Sequence, residues 1–218
     1  MKRSDSKTIN KTDTERDSKH LQLRKAIRQE RRSLSAKQQA HAAEQLLANI
    51  LQEEIYKNAT TIAFYQAFDG EIDPTLALEA ALNIGKRCFL PVMSQTKVAL
   101  AFVEYQSESS LTKNSFGILE PKLYPNNALA PEHMDIIFMP LVAFDLNGTR
   151  LGMGKGYYDR NLAFMLEDSS EMSLKSKKTP KLIGLAHECQ RVEQLERADW
   201  DVPLNQIISD QATYTITS

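Results

Sequence analysis

The sequence predicts an α/β fold: one open, mostly parallel β-sheet with helices on both faces, in a three-layer α/β/α arrangement. Short apolar runs alternate with helical segments over about 160 residues, the pattern of a sheet built from strand–helix units. Residues 135–139 (DIIFM) form an uninterrupted apolar run, as expected of a central parallel strand buried on both faces. The chain has 218 residues, 42% hydrophobic and 25% charged, which suits one globular domain or two small ones and excludes collagen-like, mucin-like and wholly disordered classes.

Residues 1 to 17 are rich in Ser, Thr, Lys and Asp with almost nothing apolar, so burial cannot offset the entropy of ordering them. The expectation is a disordered polar tail over residues 1–18 and a single folded unit over 19–218. From Lys19 the pattern is helical: Leu21, Arg24, Ile27, Arg28 and Arg31 recur at three- and four-residue steps, so the arginines share a face and can aim at a common anionic target. Ser35 with Gln38 three residues on reads as a capping box. It opens a second helix whose apolar stripe is Ala43, Leu46, Leu47, Ile50 and Leu51.

A strand is expected at 61–65 (TIAFY), then the loop AFDGE, then a helix to about Asn83 with Asp73 as N-cap and Pro74 at its first position. Strands follow at 87–90, closed by Pro91, and at 98–105. The polar stretch holding Pro121, Pro125 and Pro131 reads as loop, and the DIIFM strand is stopped by Pro140. Beyond a glycine cluster come a helix at 156–167, a polar linker (SSEMSLKSKKTPK), a strand at 182–186, a helix near 192–196 and a last strand at 206–209.

The formal net charge of −1 hides an asymmetry. Residues 1–37 carry 12 Lys+Arg against 5 Asp+Glu, leaving 15 against 23 for the rest. A basic segment is one route to nucleic acid, but this one contains no aromatic side chain to stack on bases. A solvated tail leading into a surface helix is the favoured reading, with no nucleic-acid partner. No apolar run approaches the roughly 20 residues needed to span a bilayer, and the first residues lack an apolar signal core, so no membrane partner and a cytoplasmic location are expected. Cys88 and Cys189 are too few and too distant for a disulfide framework or a zinc site and read as reduced, buried thiols.

Chemistry concentrates in one segment. The chain has only 8 glycines, and four of them, Gly148, Gly152, Gly154 and Gly156, fall within nine residues just after the DIIFM strand. Ligands of open α/β sheets sit beyond the carboxyl ends of the strands. Glycines at 152, 154 and 156 let the backbone approach a ligand and turn N–H groups toward an anion, a following helix adds its positive end, and Arg150 and Lys155 bracket the set. This describes a polyphosphate cradle, with a structural turn as its bland counterpart. A Walker A loop does not fit, because position 149 is threonine and position 156 is glycine; nor does the dinucleotide fingerprint, because position 157 is tyrosine. Asp159 suits either a cation held against bound phosphates or a carboxylate stabilising the first helical turn.

The segment FDLNGTRLGMGKGYYDR resembles the signature of the 5-formyltetrahydrofolate cyclo-ligase (methenyltetrahydrofolate synthetase) family. LRKAIRQERRSLS, FDGEIDP, GKRCFLP, FGILEP and ADWDVPL are similar to other family elements in the expected order, so the resemblance spans about residues 19–209. It implies a fold similar to that of sugar-phosphate isomerases and CoA transferases. It also implies an ATP- and Mg2+-dependent enzyme that converts 5-formyltetrahydrofolate to 5,10-methenyltetrahydrofolate and releases ADP and phosphate. The formyl oxygen would attack the γ-phosphate and N10 would then close the ring. The implied partner is a reduced folate, as monoglutamate or polyglutamate, and a monomer is favoured.

By position in these motifs, the resemblance assigns ATP to His20, Arg24, Arg150, Gly152, Gly154, Lys155, Gly156 and Tyr158, with Lys155 and Arg150 as the catalytic pair. It assigns the folate to Gln66, Glu71, Met153 and Tyr157, and Mg2+ to Asp159 and Asp199. Bland counterparts are a solvated loop acid for Glu71, a core aromatic for Tyr157 and an ordinary turn residue for Asp199. His20 stands where many relatives carry lysine, with Lys19 beside it, and Met153 where some carry arginine. His187 is tempting as a general base, but the mechanism needs none there, and a structural or lining role is favoured. The rival readings are a phosphotransferase acting on another small molecule and a nucleic-acid-binding module using the basic first helix.

Overall fold

A computed structural model of the chain describes residues 11–93, 100–124, 126–166 and 179–217. In chain order the elements are helices α1 (Lys11–Ser33), α2 (Ala36–Gln52) and α3 (Glu54–Asn58), strand β1 (Thr61–Ala63) and helix α4 (Thr75–Asn83). Strands β2 (Arg87–Met93), β3 (Leu100–Tyr105), β4 (Leu111–Lys113), β5 (Leu119–Pro121), β6 (Ala128–Leu129), β7 (Ile136–Pro140), β8 (Ala143–Phe144) and β9 (Arg150–Leu151) follow. Helix α5 (Tyr157–Leu162) and strands β10 (Lys181–Ala186), β11 (Gln206–Ser209) and β12 (Thr213–Thr215) complete the chain.

The main sheet runs in the order β12-β11-β10-β7-β1-β2-β3-β6. Its middle five strands, β11 to β2, are parallel, and β12, β3 and β6 add antiparallel edges. The DIIFM run is the central β7, flanked by β10 and β1. Alternation along the strands feeds two cores. Ile136 and Phe138 face Leu46 and Ile50 of α2 and Leu78 of α4. Ile137 and Met139 face Leu162 of α5 with Val202 and Leu204. Each such side chain contributes about 1.5–3 kcal/mol when fully buried, so the three-layer arrangement follows from an apolar strand that has no polar face.

Several elements depart from expectation. α1 starts at Lys11, so residues 11–18 of the expected tail are helical; residues 1–10 lie outside the described residues. Composition gave no reason for order there, but tertiary contact does, as when the Arg16 guanidinium lies 5.5 Å from the Trp200 ring. α2 has its Ser35–Gln38 capping box, while Leu51 is exposed and Ala42 joins the buried stripe. α4 begins at Thr75 with Pro74, not Asp73, at its N-cap, one residue later than expected; Asp73 Oδ1 still accepts from the Thr75 N–H at 2.9 Å, a turn just ahead of the helix.

β2 continues through Pro91 instead of stopping there. Arg87 N–H donates to Thr60 O and Phe89 O accepts from Phe64 N–H, so odd positions of β2 face β1. β1 has ended before Pro91 is reached, and the missing N–H costs no ladder bond. The stretch expected as loop contains β4, β5 and β6. Asn114 Oδ1 builds the β4–β5 turn by accepting from the Phe116 and Ile118 N–H groups at 2.8 and 3.1 Å; Pro125 lies outside the described residues. α5 ends at Leu162, followed by a 3-10 turn at Ala163–Met165, while Glu167, most of the polar linker, and residues 98–99 of the expected third strand lie outside the described residues. No helix forms at 192–196. Its backbone is drawn off by tertiary partners instead: Val192 N–H donates to Phe144 O and Leu195 N–H to Asp145 Oδ2, both at 2.9 Å.

Candidate active site

From β1 the chain moves to β2 on one side, and the later β7 takes the other side, so the strand order reverses between β1 and β7. Such a switch point leaves a crevice at the carboxyl ends of the two strands. A cavity of about 720 Å³ opens there, within the usual range for small-molecule sites. Tyr65 and Gln66 enter it from β1, Pro140 and Leu141 from β7, His20 and Arg24 from α1, Phe116 and Ile118 from the β4–β5 hairpin, and residues 150–160 from the glycine segment.

The glycine segment is anchored by Asp145, which is fully buried. Its Oδ1 accepts from the N–H groups of Asn147 and Thr149 at 3.0 and 2.9 Å, closing the turn between β8 and β9. Gly148 belongs to that anchor and not to the cavity: it has φ +77° and a Cβ there would lie 2.8 Å from Leu204 O. Gly152, Gly154 and Gly156 do line the cavity. Arg24 Nε donates to Gly152 O at 2.8 Å, so α1 and the glycine loop form one wall. Lys155 is exposed on that wall, and its carbonyl accepts from Arg160. α5 is less than two turns long, so the charge presented here comes mainly from side chains.

Arg150 and Asp159 are paired with each other, and Arg150 also donates to Val202 O. Asp159 accepts in addition from Val202 N–H at 3.4 Å. Asp199, expected as a second metal ligand, is exposed and does not line the cavity; Asp201 does. The acidic turn decides this. Ala198 N–H donates to Asp201 Oδ2 at 2.9 Å, which folds that carboxylate inward toward Arg150 and Arg24.

Glu71, whose side chain is 11% exposed, lines the same cavity. Oε2 accepts from Phe68 N–H at 3.1 Å, and burial pushes its carboxyl up to about 7 against the pull of nearby Arg31. Tyr158 is half-buried beside it, its hydroxyl pKa raised by burial. Tyr157 lies 5.7 Å from the Arg160 guanidinium, and Met153 is 43% exposed on the loop. Burial, and then Arg24, lower the His20 pKa. His187 is buried and outside the cavity, at the head of a 3-10 turn at Glu188–Gln190 where its backbone N–H donates to Gln190 Oε1 at 2.9 Å.

The common target expected for the α1 arginines exists, but it is internal. Arg28, Arg31 and Arg32 converge on Asp69, and only Arg24 turns to the glycine loop. Sequence reasoning missed Arg31, Asp69, Asp145 and Asp201 as parts of the site. The quoted motifs contained all four, but nothing local distinguished them from solvated charges.

The model of the 5-formyltetrahydrofolate cyclo-ligase family matches residues 16–210, covering nearly all of the elements that build this cavity. The chain belongs to that family. It is 40% identical over 191 residues to the cyclo-ligase of Haemophilus influenzae, an alignment covering 87% of this chain and 97% of the relative. The cyclo-ligase of Escherichia coli K12 is 37% identical over 184 residues, covering 84% and 96%. Among solved structures, the 5,10-methenyltetrahydrofolate synthetase of Aquifex aeolicus superposes with a TM-score of 0.74 at 29% identity, covering 91% of this chain and 93% of that one. The Mycoplasma pneumoniae synthetase gives 0.64 at 25%, covering 88% and 98%. The solved synthetases thus share this fold, and the family match includes the loop that walls the cavity.

Proposed function

We propose that this chain catalyses the ATP-dependent conversion of 5-formyltetrahydrofolate to 5,10-methenyltetrahydrofolate, releasing ADP and phosphate. The observation that carries the reading is that one cavity joins a cationic glycine loop to the buried carboxylate of Glu71. The formyl oxygen of the substrate is a poor leaving group and phosphate is a good one, so transfer of the γ-phosphoryl group to that oxygen prepares the formyl carbon for attack by N10. The protein's task is then to position two bound molecules and neutralise charge. No side-chain nucleophile is needed. Both thiols suit that absence, since burial pushes Cys88 up to about 12 and Cys189 to about 11, and neither lines the cavity.

In this reading Arg24, Lys155 and the backbone of Gly152, Gly154 and Gly156 hold the phosphates, with His20 and Tyr158 alongside. Lys155 stabilises the transferring group, and Arg150 supports it through the loop. Glu71 accepts from the pterin N–H groups, which suit a carboxylate, while Gln66, Met153 and Tyr157 line the folate. Mg2+ commonly takes one or two protein carboxylates together with phosphates and water. Asp159 and Asp201 fit that donor set; the ion would neutralise phosphate charge. Residues 19–218 act as one catalytic unit, extended by the first turns of α1, in a cytoplasmic monomer that accepts mono- or polyglutamylated folate.

The test is to mix the purified protein with 5-formyltetrahydrofolate, ATP and Mg2+ and follow the near-ultraviolet absorbance of the methenyl product. ATP-dependent growth of that band is expected. A folded sample that consumes ATP without forming it is a phosphotransferase of another kind, and one that does neither refutes the assignment altogether.

A further inference from the structure

Arg31 is the largest fully buried side chain in the described structure, and it joins three parts of the fold. From α1 its Nε donates to Asp69 O at 2.9 Å and its Nη2 to Asp69 Oδ2 at 3.1 Å. Its Nη1 donates to Leu141 O, at the carboxyl end of β7, at 3.1 Å. Nη2 also points toward Glu71 Oε1, but at 3.7 Å it stops short of a hydrogen bond. A lone guanidinium beside two carboxylates ordinarily bridges both. Here Asp69 takes the Nε and Nη2 donors, Leu141 O takes Nη1, and Glu71 Oε1 is left beyond hydrogen-bonding distance of this guanidinium.

Asp69 is built for that competition. It is the only non-glycine residue with positive φ among the described residues, at +58°, and its side chain is 4% exposed. Arg28 Nε reaches the same Oδ2 at 2.7 Å, and Arg32 pairs with Oδ1. Three arginines on one carboxylate fix its position, and through it the position of Arg31.

We propose that Arg31 and Asp69 are positioning residues for the folate carboxylate Glu71. Asp69 holds the Arg31 guanidinium just beyond hydrogen-bonding reach, so Glu71 has a compensating positive charge nearby yet keeps an oxygen for the ligand. The proposal rests on the reading of Glu71 as a folate acceptor. The charged and titratable groups around Glu71 are Arg28 and Arg31 from α1, Asp69 from its own loop, Tyr65 after β1 and Tyr158 from α5. Burial is the largest influence and favours the neutral acid; Arg31 and Arg28 oppose it, and Asp69 reinforces it. The two positioning residues therefore act on Glu71 with opposite signs.

That opposition separates the proposal from a merely structural role. The measurement is direct binding of 5-formyltetrahydrofolate, without ATP, across a pH series spanning about 7, for the unmodified chain, Glu71→Gln, Asp69→Asn, Arg31→Gln and Arg31→Lys. Asparagine tolerates the left-handed backbone at position 69, so Asp69→Asn removes charge without forcing the loop. In that variant Arg31 is released onto Glu71. Folate affinity should fall about tenfold, as for losing one acceptor to an internal partner, and the pH midpoint of binding should move down by roughly one unit. In Arg31→Gln the midpoint should move up, and in Arg31→Lys it should return toward the unmodified value. Midpoints that move in the same direction in Asp69→Asn and Arg31→Gln, or an affinity loss with no movement, overturn the proposal. If Arg31→Gln does not fold, an unmoved midpoint in Asp69→Asn is sufficient to overturn it. Unchanged folate binding in Glu71→Gln overturns the reading beneath it, whatever the other variants do.

Discussion

The guanidinium of Arg24 lies across the glycine loop: its Nε donates to Gly152 O at 2.8 Å, and a Cβ on Gly154 would meet its Cζ at 3.5 Å. A helix from the start of the chain is thereby fastened to a loop 128 positions later, and it brings a cation to the place where the proposed phosphates lie. Arg24→Lys keeps the charge but loses the sideways Nε donor. The KM for ATP should rise about ten- to a hundredfold, the size of a lost charge-assisted hydrogen bond, with a smaller change in the KM for folate. Titrating each substrate at saturation of the other checks this, and equal losses in both would detach Arg24 from the nucleotide.

Lys155 stands exposed on the same wall, so its removal leaves no buried gap. Lys155→Ala should reduce turnover on the order of a hundredfold or more, as for losing a preorganised charge at the reacting group. The melting temperature should stay within a degree or two, because ordinary surface substitutions shift stability by only about 0.5 kcal/mol. Unchanged turnover would move the chemistry off this loop.

Gly148 makes the complementary case. Its φ of +77° and the 2.8 Å approach to Leu204 O leave no room for a side chain. Gly148→Ala should lower stability by about 1–3 kcal/mol in urea unfolding, while the folded fraction keeps its KM values. A variant as stable as the parent would contradict the packing described for this turn.

Glu71 predicts a pH dependence of stability. Burial raises its carboxyl from 4.5 to about 7, so between those values the folded state holds a proton that the unfolded state has released. Stability is greater below the unfolded value and is lost as pH rises toward the folded one. Glu71→Gln should remove this loss, gaining on the order of 3 kcal/mol above pH 7 relative to the parent. Urea midpoints at acidic and slightly alkaline pH measure the difference, and parallel pH curves for the two proteins would count against the buried carboxylate.

Much of the fold was legible because its signals are local. The apolar DIIFM run sits in the sheet centre as β7, and the Ser35–Gln38 pair caps α2. What failed has a long-range cause. Residues 192–196 have a short helical pattern, but long-range hydrogen bonds to Phe144 and Asp145 claim their backbone. Residues 111–129 look like loop because they are polar and proline-rich, yet β6 needs only the open edge of β3. In the site, the glycines and Lys155 announced themselves by clustering. Asp199 and Asp201 are equivalent in the sequence of one turn, and only the hydrogen bond from Ala198 chose between them.

By itself, then, the sequence determined the sheet centre, the loop after it and the family to which both belong, since runs, caps and clusters are properties of neighbouring residues. Only the tertiary structure decided which charges are spent inside the protein. Arg28 and Arg31 read as part of a helix face aimed at an anion until the chain supplied Asp69 from 38 to 41 positions away. A charge commits to whichever opposite group the fold brings within about 4 Å, and that choice is made by packing at long separation in the chain.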